Sequence, residues 1–190
     1  MKLLAIDPGT FESAWVAFDG QRVLGHSLES NVTILGRLRE YAGVPVWIEM
    51  VASFGMPVGK EVFETCVWIG RFWETALRNG SACDRVTRHQ IKLYLCHSAR
   101  AKDTNVRQAI LDRFGGKLAA LGNKKNRGPL YGVVSHEWSA LAVALYGWDT
   151  TPTHVRVGPR KCNICGRFLL ADGSCPKTWK DGEGGHEHDD

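Results

Sequence analysis

The stretch Leu3-Leu4-Ala5-Ile6-Asp7-Pro8-Gly9-Thr10 decides the fold. Four apolar residues run into a single carboxylate, and Pro8 and Gly9 end the run at once. That is the pattern of a buried strand closed by a turn. It puts Asp7 at the carboxyl edge of a strand, where open α/β sheets bind their ligands. A carboxylate there can hold a cation or face a phosphate-bearing ligand. Two chemistries fit the run alone: a metal-bearing acidic centre, or the phosphate loop of a two-lobed ATPase.

Length separates them. The chain has 190 residues, room for one full domain and a small appendage. A two-lobed ATPase needs two such domains to clamp a nucleotide. The hydrophobic share of 44% supports a packed core. No apolar stretch is long enough to span a bilayer, and no signal peptide precedes the first strand, so the expectation is a soluble, cytoplasmic protein. In that compartment the six Cys are thiols or metal ligands rather than disulfides.

Charge is unevenly distributed. The net value is +4, yet the final segment Asp181 to Asp190 carries five acids and no Lys or Arg. Without it, 24 Lys and Arg face 15 acids, a balance of +9. Between Arg88 and Arg127 lie ten Lys and Arg against two Asp. A basic segment attached to a domain with an acidic centre suits a polyanion that reaches the carboxylates through a metal ion.

Period and punctuation predict the elements. Lys2–Ile6, Ser13–Phe18 and Arg22–Leu28 read as strands, with Asp19-Gly20 as a hairpin turn. Asn31–Tyr41 reads as a helix capped by Asn31, and Val44–Met50 as a strand that ends near Glu49. Val62, Phe63, Cys66, Ile69, Trp73 and Leu77 recur at helical spacing, which predicts a core-packed helix over 61–78. A short strand follows at Ala82–Val86, then helices at Arg88–Leu95 and Thr104–Phe114, a basic loop at Asn123–Gly132, and a small-residue helix over Ser135–Tyr146 capped by Ser135. The expected fold is a mixed five-stranded sheet flanked by helices.

If the fourth strand lies beside the first, Asp7 and Glu49 end next to each other. Two adjacent carboxylates repel unless a divalent cation neutralises them, and oxygen donors suit Mg²⁺ or Mn²⁺. A further ligand should come from the late helix, whose Ala140, Ala142 and Ala144 allow close approach to the sheet. His136 lies in its first turn, with Ser139 one turn further on the same side.

These features together resemble the RuvC family of Holliday-junction resolvases. The residues that carry the likeness are Asp7-Pro8-Gly9-Thr10, Glu49, the Ile91-Lys92 to Ala109 stretch, and the helix from Ser135-His136 to Ala144. With Lys124-Lys125-Asn126-Arg127-Gly128-Pro129-Leu130-Tyr131-Gly132 included, the run is most like the bacteriophage-encoded RuvC-like resolvases. The likeness covers about residues 1–148. It implies an RNase H-like domain over 1–149, a homodimer, and Mg²⁺-dependent paired nicking of four-way DNA junctions that leaves 5′-phosphate and 3′-hydroxyl ends. Carried over residue by residue, Asp7, Glu49 and His136 are the catalytic metal ligands, with two ions per centre. The family's fourth ligand, an Asp, is Ser139 here, a poor ligand for hard metals. Glu137 is the nearest catalytic substitute; Asp103 and water are the others. Lys92, Arg100, Lys102 and Arg107 would hold phosphates near the cut, with Lys124, Lys125 and Arg127 on a DNA arm.

Beyond a linker at 150–160, residues 161–190 hold Cys162-x-x-Cys165-Gly166, Cys175 and His186-x-His188. Cys162, Cys165, Cys175 and His186 would make a closed tetrahedral Zn²⁺ site, with His188 as the alternative to His186. A segment this short with few apolar residues needs such a staple to fold. Cys66, Cys83 and Cys96 read as core thiols. Besides a junction-resolving endonuclease, two other functions fit: a branched-DNA-binding protein with a weakened nuclease centre, and a less selective flap or branch nuclease.

Overall fold

The computed structural model describes residues 2–151 apart from Phe54 and Met56. Five strands form one sheet: β1 (Leu3–Asp7), β2 (Glu12–Phe18), β3 (Val23–Ser30), β4 (Val46–Met50) and β5 (Cys83–Thr87), in the order β3-β2-β1-β4-β5. The first three are antiparallel neighbours; β4 and β5 run parallel to β1. The mixed five-stranded sheet expected from the sequence is present. The Asp19-Gly20 turn is present too: Asp19 Oδ1 accepts from the amides of Gln21 and Arg22 at 2.9 and 2.8 Å.

Strand alternation splits the core in two. Leu4 and Ile6 of β1, with Val46 and Ile48 of β4, face α1 (Asn31–Glu40) and α2 (Lys60–Arg78). Leu3, Ala5 and Trp47 face the other way, onto α3 (Arg88–Cys96), α4 (Asp103–Arg113) and α6 (Glu137–Thr150). A short α5 (Lys117–Leu121) lies before the basic loop, where the sequence gives no sign of it; two turn glycines, Gly116 and Gly122, bracket it and hide its period. Among the described residues, no helix is long and apolar enough to cross a membrane.

Helix α6 is the structural axle. Residues Ala140 to Leu145 are all buried, and it packs on β1, β2 and β4. Small residues bring it close: a Cβ on Gly147 would lie 2.5 Å from the Trp47 ring. Trp47 Nε1 in turn donates to Thr151 Oγ1 at 3.0 Å. Truncating Leu141 to Ala would cost about 2–5 kcal/mol, the usual range for a core leucine.

Three local expectations are corrected. The helix over 60–78 buries Thr65, Ile69, Phe72 and Ala76, while Phe63 is 61% exposed, so the buried stripe is rotated from the sequence reading. Helix α1 is capped by Ser30, whose side chain accepts from Thr33 N. Asn31 is freed to hold the turn that follows Asp7. Ser135 is not the cap of α6: its φ is +44°, and the helix starts after His136.

Candidate active site

The register of the parallel pair builds the acidic centre. Ile6 pairs with Ile48, so the next residues, Asp7 and Glu49, end side by side on the α6 face of the sheet. The turn after Asp7 is tied down from below. Asn31 Nδ2 donates to Gly9 O at 3.0 Å, and Ser13 Oγ donates to Asn31 Oδ1 at 2.5 Å. Ser13 Oγ also accepts from Gly9 N at 3.2 Å. A Cβ on Gly9 would meet Glu12 O at 2.4 Å, which is why the turn needs glycine.

Both carboxylates are held above the ordinary range. Burial pushes Asp7 up to about 6, against the pull of Arg88, His136 and Ser139. Burial, reinforced by the charge of Asp7, pushes Glu49 up to about 7. Just before α6, His136 Nδ1 approaches Asp7 Oδ2 at 4.0 Å, and Ser139, in the first turn of α6, also favours the ionised Asp7 carboxylate. Of the three expected ligands, Asp7 and Glu49 adjoin through the strand register, and His136 approaches Asp7.

Glu137 is a correction. Its carboxylate accepts from Val134 N at 2.8 Å and meets His26 Nδ1 at 2.8 Å. It is buried, and it braces the entry to α6 rather than turning to Asp7. Successive helical residues lie about 100° apart, so His136 and Glu137 cannot share a face. Asp103 comes to the centre instead, from the first turn of α4, and its charge reaches both Asp7 and Glu49.

Arg88 is the residue sequence reasoning missed. Its Nη1 lies 3.4 Å from Glu49 Oε2, and its Nη2 lies 3.1 Å from Ser139 Oγ and 3.1 Å from Asp103 Oδ1. The signal was available: Arg88 follows the end of β5, on the same sheet edge as Asp7 and Glu49. Lys92, one helical turn on, reaches Asp103 at 3.4 Å and acts on Glu49.

The other basic residues stand at the surface. Arg100, Lys102 and Arg107 are exposed, and the Arg107 guanidinium lies 4.8 Å over the Trp138 ring. A cleft of about 320 Å³ runs between α4 and the start of α6, lined by Asp103, Arg107, His136 and Trp138 among others. Lys124, Lys125 and Arg127 stand exposed on a turn shaped by Asn123, whose Oδ1 accepts from the amides of Lys125 and Asn126. The Cys83 thiol is pushed well up by burial, as a core thiol should be. Cys162, Cys165, Cys175, His186, the 150–160 linker beyond Thr151 and the 161–190 module lie outside the described residues.

The donor chemistry fits a divalent cation. Two raised carboxylates side by side are stabilised by one hard positive ion, and their oxygens are its preferred ligands. Among the described residues, no three His, Cys, Asp or Glu side chains close into a preformed cage, so protein donors would fill only part of a coordination sphere.

No protein-family model matches this chain, and no curated protein does. Solved structures do. The RuvC structure from Thermus thermophilus matches with a TM-score of 0.58 at 19% identity, over 76% of this chain and 92% of that one. T. thermophilus RuvC in complex with a Holliday junction substrate matches with a TM-score of 0.60 at 17% identity, over 83% and 99%. At these identities the likeness carries the fold, and the chain has a RuvC-like, RNase H-like architecture.

Proposed function

We propose that this protein is a divalent-metal-dependent DNA endonuclease that resolves four-way junctions by paired nicks, leaving 5′-phosphate and 3′-hydroxyl ends. The observation that carries it is the pair Asp7 and Glu49, side by side at the strand edges and both held up near neutrality by burial, with His136 above Asp7. Support comes from the fold, since one neighbour of the same architecture is a RuvC bound to a Holliday junction substrate.

Asp7, Glu49 and His136 would hold Mg²⁺ or Mn²⁺, which supplies an activated water and charge stabilisation at the scissile phosphate. The protein's own part is placement. The Gly9–Ser13–Asn31 hydrogen bonds fix the Asp7 turn, and the α6 packing fixes His136 and Ser139. Lys92, Arg100, Lys102 and Arg107 would take phosphates beside the cut, and Lys124, Lys125 and Arg127 a junction arm. Paired nicks need two centres, so the working form is a homodimer. Phe63 and Val67 of α2, 61% and 60% exposed, are suited to its interface. The kinship with bacteriophage-encoded resolvases, and a Zn²⁺ module of Cys162, Cys165, Cys175 and His186 behind a 150–160 linker, belong to the same proposal. They rest on the sequence motifs alone.

The test is incubation of the purified protein with a mobile four-way junction, a flap and a linear duplex, with and without Mg²⁺. Symmetric nicks in the junction alone, dependent on Mg²⁺, are expected. Cleavage of the flap in preference to the junction would establish the less selective nuclease instead. Tight junction binding with no cleavage would establish the DNA-binding protein with a weakened centre, the reading that Ser139 favours.

A further inference from the structure

Arg88 occupies a place that a surface arginine would not. It is only 27% exposed, and one guanidinium serves Glu49, Ser139 and Asp103 at 3.1–3.4 Å. Its position is built in. Thr87 Oγ1 accepts from Gln90 N at 3.3 Å, and Gln90 Oε1 accepts from Thr87 N at 2.9 Å. That reciprocal cap fixes the first turn of α3, and α3 begins directly where β5 ends beside Glu49. A guanidinium keeps its charge at every working pH, and its planar fork presents several donors at once.

Ser139 completes the pattern. A hydroxyl can accept from Arg88 while adding no charge of its own. A carboxylate at the same place would pair with Arg88 and be lost as a metal ligand. The sequence departs from the RuvC pattern at Ser139, and in space that departure is where Arg88 sits.

We propose that Arg88 is a built-in cation of this centre, standing with Ser139 in place of a second metal ion, so that the centre takes a single divalent ion among Asp7, Glu49 and His136. The inference rests on the nuclease reading above and deepens it. Positive charge on the Glu49 side is then permanent. It favours the ionised form of that carboxylate, repels a second cation within a few ångströms, and offers charge-assisted donors to a phosphate oxygen.

The test counts ions in the centre. Mn²⁺ is titrated into the DNA-free protein and read by electron paramagnetic resonance, where two ions in one centre give a spin-coupled pair. Wild type and Ser139→Asp should give only the isolated-ion spectrum. The double variant Arg88→Gln/Ser139→Asp should give the coupled pair, because a carboxylate is added and the fixed charge removed. Arg88→Lys/Ser139→Asp, which keeps the charge, should return the isolated ion, and thermal melts confirm that each variant is folded. A coupled pair in wild type or in Ser139→Asp overturns the proposal, as does an isolated ion in the folded Arg88→Gln/Ser139→Asp protein. The count needs no cleavage. A single-ion centre that cuts no junction sinks the nuclease reading alone, and a junction-cutting protein with a coupled pair sinks this inference alone.

Discussion

Glu137 and His26 meet at 2.8 Å across 111 residues of chain, joining the start of α6 to β3. The same Glu137 carboxylate accepts from Val134 N at 2.8 Å. It therefore does for the helix entry what a capping side chain does elsewhere, satisfying an exposed amide and pinning the turn.

A structural role for Glu137 has a measurable consequence. Glu137→Gln should lower unfolding stability by about 1–3 kcal/mol, the cost of disturbing a buried polar partner. His26→Ala should cost a similar amount, and the double variant less than the sum, because the two share one interaction. Urea unfolding of the four proteins measures this. Cleavage by folded Glu137→Gln should stay within severalfold of wild type; a loss of about 10²-fold or more, the size expected for a group acting on the transition state, would restore it to the catalytic set.

Asp7→Asn and Glu49→Gln should each reduce junction cleavage by about 10²-fold or more. Binding should persist or tighten, since one less negative charge faces the phosphates. Gel shifts and single-turnover cleavage on the same junction separate the two effects. Near wild-type cutting by either variant would remove these residues from the centre.

The raised carboxylates make a prediction about pH. The folded values are about 6 for Asp7 and about 7 for Glu49, against 3.8 and 4.5 as ordinary values. The folded chain thus binds more protons than the unfolded chain across that window, and stability falls as pH rises through it. The contribution is complete below about pH 4 and gone above about pH 7. Metal-free Asp7→Asn should therefore melt above wild type at about pH 8 and level with it at about pH 4. Added Mg²⁺ should raise wild type and narrow the gap, since the ion binds only the folded centre. Circular dichroism melts decide it, and a variant melting below wild type at the higher pH contradicts the account.

Asn31 links stability to the centre. Asn31→Ala removes the donor to Gly9 O and the acceptor for Ser13 Oγ. Unfolding should cost about 1–3 kcal/mol less, and hydrogen exchange at the Gly9 and Thr10 amides should quicken. Unchanged exchange there would mean that the turn is held by other groups.

Lys124 and Lys125 make a purely electrostatic prediction. Changing both to Ala should weaken junction binding and flatten the dependence of log affinity on log salt by about 0.9 for each phosphate no longer neutralised. Cleavage at saturating protein should be unchanged. An unaltered salt slope would place the DNA arm elsewhere.

Much of the frame was readable in one dimension. Periods of two and 3.6 are local properties, so the five strands and most of the helices follow from residue order, as does the strand-edge position of Asp7. Glu49 could be placed because a parallel neighbour has to return after a crossover helix. The rotation of α2 could not, because its apolar residues outnumber the stripe that one sheet face covers, and packing alone selects Ile69, Phe72 and Ala76 over Phe63 and Leu77. The cap of α1 was equally hidden: Ser30 and Asn31 are both good caps, and the choice falls to Ser30 only because Asn31 reaches Gly9, 22 positions earlier.

The sequence by itself determined that a strand would end in Asp7, that a small-residue helix would lie close against the sheet with His136 at its start, and that a basic segment would follow. Those are matters of local pattern and composition. Tertiary structure decided which of the flanking residues face the carboxylates. Glu137 turns away to His26, while Arg88 and Asp103 come in from elements that meet only when α3 and α4 fold back over the sheet edge. The physical reason is that charges act through space: an arginine 39 positions from Glu49 has no local signature, yet at 3.4 Å its charge acts directly on that carboxylate.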